Sequence, residues 1–250
     1  MLRKLKKVFP AVVSAILCVT MLLGITASAA SAWSDTKALT IVKYNSNYIK
    51  WAEKYSKKET KNTIAYSKSR TKKILDKITR EMSADKCEYS LGMASKDRIV
   101  GIACKGENFK LALFENEGMA FYITGDTVTF LSVDEKEIAS LSAGEEYKET
   151  ISDMVKEQSS TFAEIFNFDI SENTTGKIFK FKSNDKIYYY EEFKFDEYGN
   201  MGFLFTEKGT LLAMINSGSA FCINFKTSVD DSEFDIPKGY KTVDYDDFEY

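Results

Sequence analysis

The chain has 250 residues, of which 44% are hydrophobic and 28% charged, a composition typical of a globular protein with one sizeable core. Its formal net charge is −3, and it contains no histidine. The commonest general base and zinc ligand are therefore missing, and Ser-His and Cys-His nucleophile pairs are excluded. We expect a protein that is not an enzyme and that carries no cofactor.

The first 32 residues have the organisation of a secretory signal peptide. Four basic residues precede position 8, and residues 8–25 form an uncharged apolar stretch. Small residues at Ala27-Ser28-Ala29 and Ala30-Ser31-Ala32 supply two cleavage sites. A retained membrane anchor is the alternative, because the stretch is close to the shortest length that spans a bilayer. We expect cleavage near Ala29 or Ala32 and a secreted or cell-envelope protein.

Charge is unevenly distributed along the rest of the chain. Without residues 1–32, 30 basic residues remain against 37 acidic ones, which gives a net charge of −7. Residues 37–80 alone carry 13 basic and three acidic side chains, so this arm has a charge of +10 and the remainder −17. Such an arm either binds an anionic membrane or wall polymer or folds onto its own acidic body. Nucleic acid is not expected as a partner, since the body is acidic and the chain is exported.

Residues 33–63 form a basic lead segment with one helical pattern. Its apolar residues recur at spacings of three and four and would share one face of a helix: Ile41, Tyr44, Tyr48, Trp51 and Tyr55. Three interpretations remain open here, namely a flexible segment, a helix docked on the domain, and a basic amphipathic helix on a membrane surface. A second helix is predicted over residues 68–83, with Ser69 as its cap.

From Cys87 the apolar period changes from helical to two. Strands of this kind are predicted around residues 89–93, 109–113, 119–123 and 127–133, joined by tight turns in an antiparallel meander. A helix is then expected to start at Ser142-Ala143-Gly144-Glu145, which has the pattern of a capping box. It would continue to about residue 166, either whole or broken at Ser159-Ser160.

The last third returns to strands, each with one apolar face. Five are predicted in succession, around residues 178–182, 187–195, 201–205, 211–215 and 221–225. An extended stretch over residues 234–240 and an acidic tail over residues 244–250 follow. We expect one β-rich domain over residues 64–243.

These elements predict an α+β fold in which a large curved antiparallel sheet, a half-barrel of about nine to eleven strands, wraps around two or three helices. A concave apolar face covered incompletely by helices would hold a lipid-like or acylated ligand. The residues expected to line it are aromatic and lie on the apolar strand faces: Phe109, Phe121, Tyr189, Phe193, Phe203, Phe205, Phe221 and Phe225.

The helix-led start, the strands over residues 109–114 and 119–123, and the closing Phe234-Asp235-Ile236-Pro237-Lys238-Gly239-Tyr240 together resemble the LolA-like lipoprotein carrier and sensor superfamily, in particular its divergent members from Gram-positive bacteria. The resemblance covers roughly residues 64–243. It implies an open half-barrel around helices, with acyl chains carried in the concavity. The chain departs from many such proteins in lacking a lipidation site, since Cys18 follows Leu17, and no functional residue of the family can be matched.

Two other features leave alternatives open. Cys87 and Cys104 lie on strands that should pair, so they can form a disulfide, although three small buried apolar cysteines, with Cys222, are the alternative the composition favours. Glu191 and Glu192 lie mid-strand among aromatic residues, and one of them must face the Phe side as a site carboxylate or lie near a strand end. No spacing matches a metal site, so we expect none. The function expected is binding of an apolar envelope ligand, or alternatively docking of a protein, wall polymer or anionic membrane through the basic arm.

Overall fold

The computed structural model describes most of the chain beyond its first 41 residues. The described residues are 42–84, 87–114, 118–142, 153, 156, 159, 160, 163, 164, 166–196, 198–216, 219–245 and 248. The predicted signal peptide and residues 143–145 of the predicted capping box lie outside them.

Thirteen strands form one sheet. The strands are β1 (Thr63–Ala65), β2 (Glu88–Ala94), β3 (Ile99–Lys105), β4 (Asn108–Phe114), β5 (Gly118–Thr124), β6 (Thr127–Ser132), β7 (Glu137–Ser142), β8 (Thr175–Ser183), β9 (Lys186–Phe195), β10 (Gly199–Thr206), β11 (Leu211–Ile215), β12 (Ala220–Lys226) and β13 (Lys241–Thr242). Their spatial order is β1-β8-β9-β10-β11-β12-β2-β3-β4-β5-β6-β7-β13, so β1 and β13 are the two edges and the sheet is not closed. Every pairing is antiparallel except that of β13 with β7, which is parallel. The large antiparallel sheet with helices against it is thus confirmed.

The sheet consists of two meanders joined at one seam. Strands β2–β7 form one meander and β8–β12 the other, and β12 pairs with β2 where they meet, with Phe225 opposite Leu91. The sequence pattern predicts the strands of both meanders except β7, and it does not predict this pairing. Three strands escape the prediction, which is why the sheet has more than nine to eleven: β1 and β13 are three and two residues long, and β7 has polar residues on both of its faces.

Two helices with described bounds pack on opposite faces of the sheet. Helix α1 (Ser46–Ser56) contacts strands β9–β12, whereas α2 (Arg70–Met82) contacts β2 from the other side. We call the side of α2 the first face and the side of α1 the second face. Helical residues also lie between 153 and 164, where buried Ala163 joins the core of the first face.

Both helices begin at a residue whose side chain caps them. Ser69 accepts a hydrogen bond from Lys72 N at 2.9 Å, as predicted for the start of α2. Asn45 caps α1 in the same way, accepting from Asn47 N at 3.0 Å. The apolar stripe of α2 then buries Leu75, Ile78 and Met82 in the first-face core.

Helix α1 is docked on the domain, one of the three alternatives for the lead segment. Its buried residues are Ile49 and Ala52, and Tyr48, Trp51 and Tyr55 pack half-buried against the second face. Its lysines point away from the sheet, and Lys50 and Lys54 are exposed. The apolar side of this helix is therefore occupied by the sheet.

The rest of the second face is covered by the chain after β12. We call residues 228–240 the strap. It contains a short 3-10 helix (Asp231–Phe234), whose Phe234 packs with Val229 on Ala103 of β3. Tyr240, at the end of the strap, packs beside Tyr122. The stretch predicted as extended over residues 234–240 thus begins in a helical turn, because Asp230 caps it by accepting from Ser232 N at 3.0 Å.

Among the described residues, no helix is both long enough and apolar enough to cross a bilayer.

Candidate functional site

All eight aromatic residues expected to line a ligand site lie on the first face, in one cluster. Five of them are buried: Phe109, Phe121, Phe193, Phe203 and Phe205. Tyr189, Phe221 and Phe225 are half-buried. The periodicity therefore predicts a shared face, and most of these rings form the core beneath α2 and the helical residues near 160.

Tyr189 has a polar neighbourhood unlike that of the phenylalanines. The guanidinium carbon of Arg70, the first residue of α2, lies 3.7 Å from its ring centroid. The amine of Lys180 lies 5.7 Å from the same centroid. Both distances permit cation–π attraction, so this ring faces two cations rather than an apolar ligand.

Glu191 is the glutamate that faces the Phe side, and it binds the start of α2. Its carboxylate is wholly buried and accepts from the backbone N–H of Arg70 at 3.3 Å and of Thr71 at 3.0 Å. It also accepts from the Thr71 hydroxyl at 2.9 Å. These N–H groups lack partners within the helix, and a negative charge is favourable at this end of the helix dipole. Glu191 is thus a structural anchor for α2.

Glu192 helps to anchor α1 on the second face. Its carboxylate lies 2.9 Å from Lys177 Nζ and accepts a short hydrogen bond from the Tyr190 hydroxyl. Lys177 also donates to Ser56 O, at 2.7 Å, and so holds the C-terminal end of α1. Since neighbouring residues of a strand point to opposite faces, one dipeptide ties one helix to each side of the sheet.

This second-face network depends on a glycine. Gly202 of β10 lies opposite Glu192, and a Cβ there would come within 2.0 Å of Tyr190 Oη. The Tyr190 ring is itself completely buried and has no room to move away. Any side chain at residue 202 would therefore push the tyrosine off Glu192.

A cleft opens at one side of the first-face core. Its volume is about 280 Å³, and it lies between α2 and residues 166–168. Its lining residues are Tyr66, Leu75, Asp76, Thr79, Arg80, Phe166, Asn167 and Phe168. Three rings and a leucine thus meet two charged and two polar side chains, the mixture found in small-molecule sites.

The aromatic floor of the cleft continues into the predicted site residues. The Tyr66 ring lies 5.3 Å from Phe193, edge to face. The Phe168 ring lies 5.0 Å from Phe195, which is in turn 6.1 Å from Phe203. Rings at these separations stack favourably, so Phe193 and Phe203 support the cleft from behind.

The rim of the cleft is charged on its α2 side. Asp76 pairs with Lys72 at 2.8 Å, and Lys72 also approaches Glu172 at 3.6 Å. Burial raises the pKa of Tyr66 to about 12, and the nearby Asp76 and Glu172 carboxylates act in the same direction. The Tyr66 hydroxyl therefore stays protonated at neutral pH and is available as a hydrogen-bond donor.

Cys87 and Cys104 form a disulfide that joins the chain just before β2 to β3 on the first face. The bond decides between the two alternatives for these cysteines, a disulfide or three separate thiols. The β2–β3 register makes it possible, since Cys104 lies opposite Tyr89, which is only two residues from Cys87. Buried Ser159 approaches Cys87 Sγ at 3.6 Å and accepts from the Tyr89 hydroxyl at 3.0 Å. Cys222 is free, buried, and accepts from Asn45 N at 3.2 Å.

A buried lysine lies under the strap on the second face. Lys110 is wholly buried, approaches Glu233 at 3.4 Å, and has its amine 5.7 Å from the Tyr122 ring centroid. Burial lowers the pKa of Lys110, which Glu233 partly offsets. Over the described residues, no group of three metal-ligating side chains comes together.

Sequence reasoning misses the cleft residues for a simple reason. Tyr66 and Phe168 lie in a 3-10 turn and in a loop, where no period marks them, and Phe166 lies at the end of a predicted helix, where the period indicates only an apolar helix face. The one available signal is the concentration of rings at a loop, Phe166-Asn167-Phe168.

Comparisons with known proteins add little to this description. No family model matches the chain, and no curated protein matches it. Among solved structures, an uncharacterised conserved protein from Thermus thermophilus aligns with 70% of this chain and 99% of its own, at 10% identity and a TM-score of 0.32. A likeness this low supports neither fold nor function, and the LolA-like resemblance stays a prediction.

Proposed function

We propose that this is an exported, non-enzymatic binding protein whose ligand places a short apolar group in the cleft between α2 and residues 166–168. The observation that carries the proposal is the cleft at the side of the first-face core, with its aromatic floor of Tyr66, Phe166 and Phe168. In this proposal the sheet acts as a half-barrel, and the cleft is the side entrance to its concavity.

The size of the cleft restricts the ligand. At about 280 Å³ it is close to the lower limit of ~300 Å³ for ligand pockets. A single short acyl chain or one aromatic group fits this space, whereas a whole two-chain lipid does not. An acylated peptide or fatty acid is therefore the class we favour, with most of the molecule outside the cleft.

The rim suggests how the polar part of such a ligand is held. Arg80 reaches the cleft beside Thr79 and Asn167, with its side chain 69% exposed and paired with Glu81 at 2.7 Å, which leaves further guanidinium N–H groups for a ligand. A carboxylate or amide at the cleft mouth would accept from these donors and from the Tyr66 hydroxyl. The apolar part supplies affinity, and the rim supplies orientation.

Titration with a series of straight-chain carboxylates tests this function. Each methylene buried contributes ~0.8 kcal/mol, so affinity should rise about fourfold per added carbon until the cleft is full and then level off. Thr79→Trp, which fills the cleft from α2, should abolish this rise. Thr124→Trp, at an exposed strand end on another part of the sheet, is the matched control and should bind as the wild type does.

Two results would reject the proposal. One is the absence of saturable binding for every chain length, and the other is unchanged binding by folded Thr79→Trp. Native mass spectrometry of protein purified without detergent supplies an independent measure, because a released acyl-sized mass would identify the natural ligand class.

A further inference from the structure

The outer edge of β8 is covered along only part of its length. β1 pairs with β8 at Thr175, Gly176 and Lys177, and the last backbone bond runs from Ile178 N to Asn62 O at 3.1 Å. β8 itself continues to Ser183. Five residues of this strand, 179–183, thus extend beyond the end of β1.

The direction of the free backbone groups follows from the register. In an antiparallel pair, residues alternate between bonding to one neighbour and to the other. Thr174 and Ile178 both bond toward β1, at 2.8 Å and 3.1 Å, so even-numbered residues of β8 point outward. Lys180 and Lys182 are the next two even-numbered residues, so their backbone groups also point outward. Among the described residues, none pairs with their N–H and C=O groups as a strand.

On the second face, this edge carries half-buried aromatic rings. Phe179 and Phe181 lie 5.0 Å and 4.4 Å from the Tyr55 ring of α1, the latter pair stacked. Lys54 and Lys58 place their amines 5.6 Å and 5.2 Å from the same ring. An added strand would set every second side chain against this aromatic row.

On the first face, the same edge carries only basic side chains. Lys180 and Lys182 are exposed, and Lys182 forms one ion pair, with the exposed Asp185 at 2.9 Å. A second copy of β8 would bring lysine next to lysine, which opposes pairing between two copies of this chain. An acidic strand would not meet this repulsion.

We propose that the edge of β8 over residues 179–183 binds an extended acidic segment of a partner protein by strand addition. The outward groups of Lys180 and Lys182 supply the backbone hydrogen bonds, and Phe179 and Phe181 receive apolar side chains on one face. The amines of Lys180 and Lys182 receive carboxylates on the other. The segment recognised alternates acidic and apolar residues, as required by the period of a strand.

Fluorescence anisotropy with a labelled eight-residue peptide of alternating Glu and Phe tests the proposal. A peptide of the same composition in the order Glu-Glu-Phe-Phe, which cannot segregate its side chains on two faces of a strand, is the control. We expect saturable binding of the alternating peptide, about tenfold weaker binding of the control, and slower hydrogen exchange at the amides of Lys180 and Lys182. Equal binding of the two peptides means attraction by charge alone and overturns the proposal.

Two variants test whether the peptide binds at this edge of β8. Lys180→Pro removes an outward N–H that the sheet does not use, and should weaken binding about tenfold without loss of the inner ladder bonds. Lys180→Glu/Lys182→Glu reverses both charges of this edge and should also weaken binding about tenfold. It tests the proposal independently if the proline variant fails to fold. Lys208→Glu, at the exposed turn after β10, reverses one charge outside this edge and should leave binding unchanged. Wild-type affinity in the folded double variant contradicts the proposal.

Discussion

On the first face of the sheet, phenyl and aliphatic side chains meet α2 in one large cluster, whereas the second face is divided into smaller clusters under α1 and the strap. The first face contains the disulfide and the cleft, and the second holds buried Lys110 and the Lys177–Glu192–Tyr190 network. Both sides thus have a glutamate that anchors a helix, but the second face also buries a lysine among smaller apolar clusters. The loss in free energy of unfolding on substituting a sheet residue should therefore depend on which face its side chain occupies.

The largest difference is expected for phenylalanines on the two faces. Phe203→Ala should lower the free energy of unfolding by ~3–5 kcal/mol, because this ring is wholly buried and leaves a cavity. Phe181→Ala, half-buried beside α1, should cost ~1–2 kcal/mol. Urea unfolding monitored by circular dichroism measures both, and equal losses would remove the distinction between the faces.

The cysteines give the next difference. The Cys87–Cys104 bond closes a loop with a sequence separation of 17, and Cys87→Ala/Cys104→Ala should cost ~3 kcal/mol through the entropy of the unfolded chain. Cys222→Ala, on the second face, should cost ~1 kcal/mol because one small buried group is lost. Thermal unfolding with and without reductant checks this. Reductant should lower the midpoint for the wild type and Cys222→Ala and leave the double variant unchanged.

The two adjacent glutamates allow a finer test. Glu191→Gln should cost ~2 kcal/mol, since the amide brings hydrogen-bond donors to the N–H groups of Arg70 and Thr71. Glu192→Gln should cost ~1 kcal/mol, since the amide oxygen can still accept from Lys177. Hydrogen exchange provides the local measure. Exchange should accelerate at the start of α2 in the first variant and at the end of α1 in the second, and the reverse pattern would refute the assignment of anchors.

A further effect is expected at alkaline pH. Burial raises the pKa of Tyr66 and of Tyr89 to about 12 from 10.0. Because the folded state favours the protonated phenol, the stability these groups contribute is complete below pH 10.0 and is lost as the pH rises toward about 12. Tyr89→Phe should make the decline in urea midpoint over this range shallower, and an unchanged slope would contradict the role of burial.

The sequence predicts the strands where one face is apolar and fails where no face is. The alternation at Phe203 and Phe205 identifies β10 directly, because both rings are buried on one side. β7 reads Glu137-Ile138-Ala139-Ser140-Leu141-Ser142, and its polar residues favour a helix cap instead. It becomes a strand because β6 pairs with it along its whole length. That pairing is a hairpin between neighbouring strands, and the propensity of β7 by itself does not reveal it.

The site is less predictable than the fold for a related reason. The alternation of side chains along a strand correctly predicts that one of Glu191 and Glu192 faces the phenylalanines. Its partners, Arg70 and Thr71, are about 120 positions away in the chain, so nothing local indicates that the carboxylate caps a helix. The cleft similarly unites α2 with residues 166–168, two segments related only by the finished packing.

The seam between β12 and β2 has a consequence for how the chain folds during synthesis. Helix α1 leaves the ribosome early, but the surface it covers is built from β9–β12, and Asn45 meets Cys222 177 residues later in the chain. The first meander likewise lacks one neighbour until residues 220–226 have been made. Contacts this distant in sequence slow folding, since loop closure must precede the gain from packing. The seam and the packing of α1 therefore cannot be completed until the last strands of the second meander have been synthesised.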